Sequence, residues 1–364
     1  MVMLYLMVIL HIISRLNAGG TSNWLKNFFL TEQPNIRHII ISGNLDKNEM
    51  GDHFFEKIKV VRVPHLSRNI NLIQDVRSFF EIRKLLIELN PDLVNTHAFK
   101  AGLLGRLALA TLRKKPKLVH TYHGHLLYGY FGYFGKLIYV WIEKILSKST
   151  NHYIINGAQV RTELIAAKII SQSNSTVIYP GIRIDKSKIN RVKINLRTTR
   201  EIKIGWLGRL VEIKNPQLVN KLAAVFPQVN FLIGGTGNQF QKLKQEAPKN
   251  VTFCGWVNPL EFWPRCNVAL LTSFNEATPF ALVEACFFGL PIIAPNVGSI
   301  PDIVTNNNGF LVKNFNDYVS AISILINQPN LMSKLGKTSK ILFNKEFKFS
   351  NFISKHEFVY SNMK

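Results

Sequence analysis

Two acidic residues eight positions apart, Glu276 and Glu284, are the side chains whose local sequence best suits chemistry. Between them, Thr278 is a good helix N-cap and Pro279 suits the first position of a helix. We therefore predict that Glu276 lies in the loop before a helix. Glu284 should then lie about a turn and a half inside that helix.

The predicted helix ends at Gly289, which Pro291 follows closely. Its N-terminus, between the two carboxylates, would attract an anion through unpaired N–H groups and the helix dipole. Carboxylates on both sides of an anion site suit a ligand with phosphate in the middle and hydroxyl-rich sugars at both ends. A nucleotide-sugar has this layout.

Two basic side chains follow a predicted strand at 202–207. Arg209 comes directly after Gly208, and Lys214 comes five residues later. A guanidinium fork and an ammonium group just beyond a strand suit a diphosphate. The alternative is that both are ordinary solvated residues among the 45 lysines and arginines of the chain.

Glycine pairs follow two predicted strands. Gly19 and Gly20 allow a tight turn and a close approach of the backbone to a ligand. A plain structural turn explains them equally well, because their spacing is not that of a dinucleotide-binding fingerprint. Gly235 and Gly237 are further candidates for an approach to a nucleotide.

Histidines occur at the ends of two predicted strands. His123 follows a strand at 117–122 and should project beyond its carboxyl end, whereas His120 lies within that strand and is predicted to be buried. His97 is a weaker candidate of the same kind. No group of histidines and carboxylates has the spacing of a metal site, so no metal is expected.

The elements that position these residues are short apolar runs that alternate with helical patterns, which is typical of parallel sheets covered on both faces. They form two series: 6–14, 37–42, 59–63, 93–97, 117–122, 152–156 and 176–179, then 202–207, 230–234, 251–254, 268–272, 292–294 and 309–312.

Two such series predict an α/β fold of two doubly wound, Rossmann-like domains that face a central cleft. We place the first domain at 1–185 and the second at 186–342. Aromatic residues at helical spacing in the tail predict a C-terminal helix at about 343–364 that packs back onto the first domain.

Composition bounds the class of protein. The chain has 364 residues, 47% of them hydrophobic, and a net charge of +23 spread along its length. This charge fits an anionic partner such as nucleic acid, a membrane face or phosphorylated substrates, and fits general solubility equally well.

Three cysteines are expected to be reduced core residues of a cytosolic protein. The apolar start at 1–13 is too short to span a bilayer and is predicted to be a buried strand, with a membrane-contacting segment as the alternative.

Several of these motifs together resemble the donor site of retaining glycosyltransferases of the family 4 type, which have the GT-B architecture. The motifs stand in the family's order along nearly the whole chain: Gly19–Gly20, His123–Gly124, 179–182, Gly208–Arg209, Lys214, Glu276, Glu284 and Gly289–Pro291. The chain departs from the family where Tyr179-Pro180-Gly181 lacks the Asn usual before that glycine. It also has Thr236 where an acidic residue is commoner.

The resemblance implies a role for each site residue. Glu276 and His123 would lie nearest to the transferred sugar at the reaction centre, and Glu284 would bind the ribose hydroxyls. The donor diphosphate would be held by Arg209, Lys214, Gly19 and Gly20. The backbone would contact the sugar and phosphates at Thr278, Pro279, Phe280, Ala281 and Leu282.

It also implies the reaction. A hexose or N-acetylhexosamine would pass from a nucleoside-diphosphate sugar, with UDP as the expected nucleotide, to a saccharide or polyprenyl-diphosphate-linked acceptor in cell-surface polysaccharide biosynthesis. No cofactor would be required, and no nucleic acid would bind. The enzyme would act in the cytoplasm, with peripheral contact at the inner face of the plasma membrane.

The acceptor side is predicted in the first domain. An aromatic stretch at 126–148 and a basic cluster at 113–117 would dock on anionic lipid, unless the stretch is an ordinary core helix preceded by an active-site loop. Two other functions remain open. A nucleotide-sugar epimerase or hydrolase would form product without an acceptor, and a nucleic-acid-binding protein would concentrate its basic residues on one face.

Overall fold

A computed structural model describes residues 6–31, 33–45, 49–124, 127, 132–184 and 201–363. The chain divides into two compact units: unit 1 is Met1–Gly181 with Phe349–Lys364, and unit 2 is Ile182–Lys348. The first residues of the apolar start (1–5), residues 126 and 128–131 of the aromatic stretch, and the polar stretch 185–200 lie outside the described residues.

Unit 1 is built on a parallel sheet of seven strands: β1 (Met7–Ile13), β2 (Ile36–Ser42), β3 (Val60–Arg62), β4 (Leu93–His97), β5 (Lys117–Tyr122), β6 (His152–Ile155) and β7 (Ser175–Val177). Their order across the sheet is β3-β2-β1-β4-β5-β6-β7. The connections contain α1 (Gly20–Lys26), α2 (Leu72–Leu89), α3 (Phe99–Ala110), α4 (Tyr133–Ser147), α5 (Ala158–Ala166) and short 3-10 helices at Asn27–Phe29 and His53–Glu56.

Unit 2 contains a parallel sheet of six strands: β8 (Lys203–Leu207), β9 (Asn230–Gly234), β10 (Val251–Gly255), β11 (Val268–Leu270), β12 (Ile292–Pro295) and β13 (Gly309–Val312). Their order is β10-β9-β8-β11-β12-β13. The helices are α6 (Gln217–Val225), α7 (Phe240–Gln245), α8 (Pro259–Phe262), α9 (Phe280–Phe287), α10 (Phe315–Asn327) and α11 (Pro329–Glu346), with 3-10 helices at Glu212–Lys214, Trp263–Arg265 and Ile300–Asp302.

The last helix, α12 (Phe349–Ser361), belongs to unit 1. Its Phe352 ring packs edge-on against Trp24, with the ring centroids 4.8 Å apart. Near its end, the Tyr360 hydroxyl accepts a hydrogen bond of 2.9 Å from the amide of Asn95. The aromatic spacing of the tail thus corresponds to a helix that buries Phe352 and Tyr360 in unit 1, whereas Phe358 is exposed.

The predicted fold class of two doubly wound, Rossmann-like sheets is confirmed, and every apolar run predicted as a strand contains one. The central strands are buried on both faces, which is why their sequences are continuous apolar runs rather than a strict alternation of apolar and polar residues. The apolar start becomes β1 over Met7–Ile13. All three cysteines are free, but Cys254 is only half-buried and is not a core residue. None of the described helices combines the length and the apolar character needed to cross a bilayer.

Candidate active site

Each sheet has one place where the strand order reverses, between β1 and β4 in unit 1 and between β8 and β11 in unit 2. Connections leave such a switch point in opposite directions, which opens a crevice at the carboxyl ends of the strands and makes it the usual ligand site of these folds. Most of the predicted site residues lie in the segments that leave these four strands.

In unit 2, the switch point brings Lys214 and Glu276 together. The Lys214 ammonium forms an ion pair with the Glu276 carboxylate, and the Ser273 hydroxyl donates a hydrogen bond of 2.7 Å to the same carboxylate. The Lys214 side chain is 22% exposed and that of Glu276 is 9% exposed. The pair is therefore largely desolvated, which strengthens its electrostatic interaction relative to a surface pair.

Backbone contacts hold the two segments in this position. The Lys214 carbonyl accepts a hydrogen bond of 2.8 Å from the Thr272 hydroxyl, whose oxygen in turn accepts one of 2.9 Å from the indole of Trp206. The N–H of Phe274 donates to the carbonyl of Ile213 at 2.9 Å. Because Trp206 is a buried residue of β8, the sheet itself fixes the loop that carries Lys214.

A neighbouring loop supports Glu276 from its other side. The Ser299 N–H donates to the Glu276 carbonyl at 3.2 Å, and Gly298 has a positive φ of 50°. A Cβ at Gly298 would lie 1.7 Å from the Glu276 carbonyl oxygen. Glycine is therefore required at this position both by conformation and by space.

The helix between the two glutamates begins one residue later than predicted. Pro279 is the N-cap in an extended conformation (φ −73°, ψ 127°), and Phe280 is the first helical residue. Thr278, the predicted N-cap, lies one residue before the observed N-cap and is 3% exposed. Proline has no N–H, so the amides at this end that lack an intrahelical acceptor are those of Phe280 and Ala281.

The other end of α9 is closed as the sequence predicts. Gly289 has φ +69°, its N–H donates to the Cys286 carbonyl at 3.0 Å, and the Leu290 N–H donates to Ala285 at 3.1 Å. These two bonds form a Schellman motif. The ammonium of Lys340 on α11 also donates to the Phe287 carbonyl, where a cation stabilises the end of the helix.

Glu284 lies inside α9, as predicted, and has a different partner from Glu276. The indole of Trp263 donates a hydrogen bond of 3.3 Å to its carboxyl group. Burial raises the pKa of Glu284 to about 8, and the bond from Trp263 offsets only part of this effect. The free protein therefore carries a mostly neutral carboxyl group here at pH 7.

The Arg209 side chain is exposed just beyond the end of β8, as predicted. The glycines near it have a structural purpose: a Cβ at Gly235, where φ is +123°, would lie 1.9 Å from the Gly208 carbonyl oxygen. A Cβ at Gly237 would lie 2.4 Å from the carbonyl oxygen of Leu210. The loop after β9 packs on the Arg209 segment, so the close packing of the two segments by itself requires these glycines, and the approach of a nucleotide to them stays a prediction.

In unit 1, Gly19 precedes α1 and Gly20 is its first residue. Gly19 is extended, with φ 173°, so any residue could adopt its backbone conformation. A Cβ there would come no closer than 4.0 Å to the nearest atoms, which belong to Asn17. The fold itself does not demand glycine at this position, in contrast to Gly298.

His123 follows β5, as predicted, and is half-buried. Its ring packs edge-on against Trp24 of α1, with 5.2 Å between centroids, and its Nε2 lies 3.0 Å from Nδ1 of His97. Burial lowers the pKa of His123 to about 3. His120 is fully buried, as predicted, but His97 is also fully buried and does not reach the surface as its place at a strand end suggested.

Sequence reasoning missed residues that contact the predicted site directly, namely Ser273, Trp263 and Trp24, and two that are linked to it through His97, namely His11 and His38. Ser273 could have been found from its position, three residues before Glu276 and just after an apolar run. The others approach from distant parts of the sequence, and no local pattern marks them.

Two parallel Rossmann-like sheets with polar side chains at their switch points define the GT-B class of fold. Residues 35–186 match the family model described as Glycosyltransferase Family 4, and residues 187–341 match that of Glycosyl transferases group 1. The chain belongs to this family of glycosyltransferases. It is therefore an enzyme, and the nucleic-acid-binding alternative is set aside.

Named relatives support this membership. The UDP-Gal:alpha-D-GlcNAc-diphosphoundecaprenol alpha-1,3-galactosyltransferase of Escherichia coli is 30% identical over 314 residues, which cover 79% of this chain and 81% of the relative. The capsular polysaccharide biosynthesis glycosyltransferase CapM of Staphylococcus aureus is 23% identical over 304 residues, covering 78% and 80% respectively.

Solved structures share the fold at low identity. HepE of Anabaena, in complex with UDP and glucose, matches with a TM-score of 0.77 and 19% identity over 98% of this chain and 100% of that one. Sucrose-phosphate synthase of Thermosynechococcus elongatus matches with a TM-score of 0.78 and 17% identity over 98% and 99%.

Proposed function

We propose that the protein is a retaining glycosyltransferase that moves a hexose or an N-acetylhexosamine from a UDP-sugar to a lipid-linked saccharide acceptor in cell-surface polysaccharide assembly. The observation that carries the proposal is the Lys214–Glu276 ion pair at the β8–β11 switch point, a few residues ahead of the helix that holds Glu284.

Lys214 and Arg209 are the proposed diphosphate ligands. Negative charge grows on the leaving phosphate as the bond to the sugar breaks, and a positioned cation stabilises that charge in the transition state. Lys214 is already oriented by Glu276 and by the bonded loop, whereas Arg209 is exposed and can reach outward. The N–H groups of Phe280 and Ala281 would add a partial positive charge from the start of α9.

The two glutamates are assigned to different parts of the donor. Glu284 would accept hydrogen bonds from the ribose hydroxyls, and Glu276 would lie near the transferred sugar while holding Lys214. They do not form the acid and base pair of a glycoside hydrolase, which flanks a single glycosidic bond, because each has its own separate partner. His123 would contact the sugar from unit 1, and Gly19–Gly20 would allow the diphosphate to approach.

The choice of donor and acceptor draws on the relatives. The name of the Escherichia coli enzyme contains a UDP-sugar and a diphosphoundecaprenol-linked acceptor, and HepE was solved with UDP and glucose. CapM is named for capsular polysaccharide biosynthesis. A UDP-sugar and a polyprenyl-diphosphate saccharide are therefore the first substrates to test.

The test is a transfer assay on the full-length protein with a panel of UDP-hexoses and UDP-N-acetylhexosamines and with polyprenyl-diphosphate N-acetylglucosamine. We expect Lys214→Ala and Glu276→Ala each to lower kcat/KM by about 100- to 1000-fold, the cost typical of removing one such stabilising group. Lys242→Ala is the matched control, because Lys242 pairs with Glu246 on the surface of the same unit.

Near-full activity in both site variants would overturn the site assignment. Sugar turnover without an acceptor would favour the epimerase or hydrolase alternative. The anomeric configuration of the product, measured by the proton coupling at its C1, tests retention, because a retaining enzyme gives an α-linked product from an α-linked donor.

We further propose that unit 1 docks on an anionic bilayer. Helices α2 and α4, which both pack against α3, carry large apolar side chains that are 44–79% exposed: Leu72, Ile73, Val76, Phe80 and Ile87 on α2, and Tyr133, Phe134, Leu137, Ile138, Trp141 and Ile145 on α4. Aromatic and aliphatic residues beside lysines are typical of helices that lie in a membrane interface.

The charge around α4 fits an anionic partner. The only acidic residue of the segment 101–150 is Glu143, and it is fully buried in a bidentate pair with Arg106. The exposed charges of this segment are therefore basic: Arg113, Lys114, Lys115, Lys117, Lys144 and Lys148. Each such residue near an anionic surface adds about 1 kcal/mol of attraction.

Vesicle sedimentation tests this docking. We expect the protein to bind vesicles that contain phosphatidylglycerol, to bind neutral phosphatidylcholine vesicles weakly, and to lose binding in Phe134→Ser/Trp141→Ser. Trp256→Ser is the matched control, because Trp256 is 67% exposed in unit 2. Equal binding by the double variant and the wild type would refute the role of α4.

A further inference from the structure

Four histidines of unit 1 form a continuous line of hydrogen-bonded rings. His38 Nδ1 lies 2.9 Å from His11 Nε2, His11 Nδ1 lies 3.0 Å from His97 Nε2, and His97 Nδ1 lies 3.0 Å from His123 Nε2. The far end is closed by Gln33, whose Oε1 lies 3.0 Å from Nε2 of His38. The line ends at the residue proposed to contact the sugar.

The sheet builds this line with one histidine from each of four neighbouring strand positions, in β2, β1, β4 and just after β5. In the register, His38 pairs with Ile9, two residues before His11, and His97 pairs with Thr121, two residues before His123. Side chains two residues apart project from the same face. Each step therefore crosses one strand and advances two residues towards the carboxyl edge.

Aromatic rings pack against the line of histidines. The Phe28 ring stacks on His11 and His38 at 4.9 and 4.8 Å, and Trp24 packs against His123. Among the residues that the structure describes, the other titratable side chains that act on the line are His120 on β5 and His356 on α12. Burial lowers the pKa values of His38 and His123 to about 3, and those of His11 and His97 well below the usual value, with smaller contributions from neighbouring histidines. All four rings are neutral at pH 7.

Because the rings are neutral, the position of one hydrogen determines the donor and the acceptor in every hydrogen bond of the line. A neutral imidazole has one N–H and one bare nitrogen. The Gln33 oxygen can only accept, so the hydrogen of His38 is on Nε2 and its Nδ1 accepts from His11. The same reasoning passes along the line, so that His97 accepts from Nε2–H of His123 and leaves Nδ1 of His123 bare.

We propose that His38, His11 and His97 are positioning residues that hold His123 in the Nε2–H tautomer, so that its Nδ1 accepts a hydrogen bond from a hydroxyl group of the transferred sugar. This inference rests on the proposed function for the identity of the ligand. The tautomer itself rests only on the contacts within unit 1.

The line matters because a wrong tautomer changes the partner that His123 can take. An N–H in place of the bare Nδ1 would donate to the hydroxyl oxygen instead of accepting from the hydroxyl hydrogen, so that hydrogen would lose the acceptor that it has in water. A buried polar group left without its partner costs a factor of about 10 to 100 in an equilibrium constant.

The four rings lie end to end, and among the described residues no three His, Cys, Asp or Glu side chains converge as metal ligands.

Imidazole nitrogen NMR tests the tautomer without any sugar donor. In full-length protein labelled with 15N-histidine, we expect the signals of His11, His38, His97 and His123, assigned by single substitutions, to show protonated Nε2 and bare Nδ1. A hydrogen on Nδ1 of His123 would overturn the inference even if glycosyl transfer is observed, and the expected tautomers would stand even if no UDP-sugar is used.

Enzyme kinetics tests whether a substitution at His97 changes activity through His123. We expect His97→Phe to lower kcat/KM about 10- to 100-fold and to leave His123 in mixed tautomers, while His97→Asn, whose amide oxygen can still accept from His123, recovers most of the activity. The double variant His97→Phe/His123→Phe should be no slower than His123→Phe alone. His152→Gln, on β6 outside the line, is the control and should match the wild type. A His97→Phe enzyme with wild-type kcat/KM and tautomer, or additive losses in the double variant, would refute the proposal.

Discussion

The pH dependence of donor binding is the sharpest test of the role given to Glu284. Its pKa is raised to about 8 by burial, with the single hydrogen bond from Trp263 acting in the opposite direction. A carboxylate accepts hydrogen bonds from both ribose hydroxyls, whereas a protonated carboxyl group has lost part of that capacity. If Glu284 binds ribose as an anion, the donor must displace a proton from it.

The size of the effect follows from the fraction that is ionised. With a pKa of about 8, roughly 3% of the Glu284 groups are ionised at pH 6.5 and roughly 75% at pH 8.5. Since apparent affinity scales with the competent fraction, donor affinity should rise about 25-fold between these values. At pH 7, binding should release about 0.9 proton.

Titration calorimetry with a UDP-sugar in buffers of different ionisation enthalpy measures both quantities. We expect Glu284→Gln to remove the slope and the proton release. Lys242→Ala should keep both. A wild-type affinity that is flat from pH 6.5 to 8.5, or a Glu284→Gln variant with the same slope, would refute the reasoning.

The stability of the ligand-free protein provides an independent check on the same pKa. The folded-state pKa of Glu284, about 8, lies above the ordinary value of 4.5 for a glutamate, so the folded protein binds more protons than the unfolded chain between these two values. Its contribution is present in full below pH 4.5 and is lost as the pH rises through 8. The free energy of unfolding should therefore fall with rising pH across this window, by at most about 5 kcal/mol, and Glu284→Gln should flatten the curve.

Three further outcomes follow from the packing. Gly298→Ala should lower the free energy of unfolding by about 1–3 kcal/mol in urea titrations and reduce transfer, because its Cβ would collide with the Glu276 carbonyl; unchanged values would mean that the loop relaxes freely. Arg106→Met should cost about 3–5 kcal/mol by leaving Glu143 buried without its cationic partner, and adding Glu143→Gln should recover part of that loss; a single variant as stable as wild type would contradict this. Gly19→Ala should leave the melting temperature unchanged but weaken UDP-sugar binding about tenfold if the diphosphate approaches there; full affinity would favour a plain turn.

The sheets were predictable from the sequence because a strand buried on both faces leaves a continuous apolar run. Such runs located β4, β5, β9 and β13 with the bounds that the structure has. The strand ends then located Arg209 and His123, since the residue after a strand in these folds lies at the carboxyl edge. The pair of Lys214 with Glu276 was not predicted as a contact, because it depends on β8 and β11 being neighbours, and their connection spans two other strands.

The glycines show which features can be predicted from neighbouring residues and which depend on distant contacts. Gly289 could be predicted as a helix terminator because the signal lies within a few residues. Gly235 and Gly237 suggest ligand contact when read locally, yet each faces a carbonyl oxygen of the segment 208–210. Thr278 was misassigned as the N-cap for a related reason. Its capping preference is local, but its burial depends on the packing of the whole loop.

The histidine line depends on register, which the sequence does not specify. His11 and His38 look like isolated polar residues in apolar strands, and only the parallel pairing of β1 with β2 places them on one face at the spacing of two rings. A buried histidine in a strand is expected to be neutral and satisfied. His38, His11, His97 and His123 come from four separate segments, so only the pairing of strands across the sheet brings them into one line.

The two switch points use opposite kinds of chemistry. In unit 2, Glu276 neutralises Lys214, so this pair adds no net charge although the chain carries +23. The pairing orders the lysine before a ligand arrives, and so removes part of the rotamer entropy, up to about 2 kcal/mol, that a free lysine would lose on binding phosphate. In unit 1, neutral imidazoles fix hydrogen-bond direction without adding charge. If the proposed site roles hold, both arrangements would lower the reorganisation needed at the moment of reaction, which is the general source of electrostatic catalysis in preorganised sites.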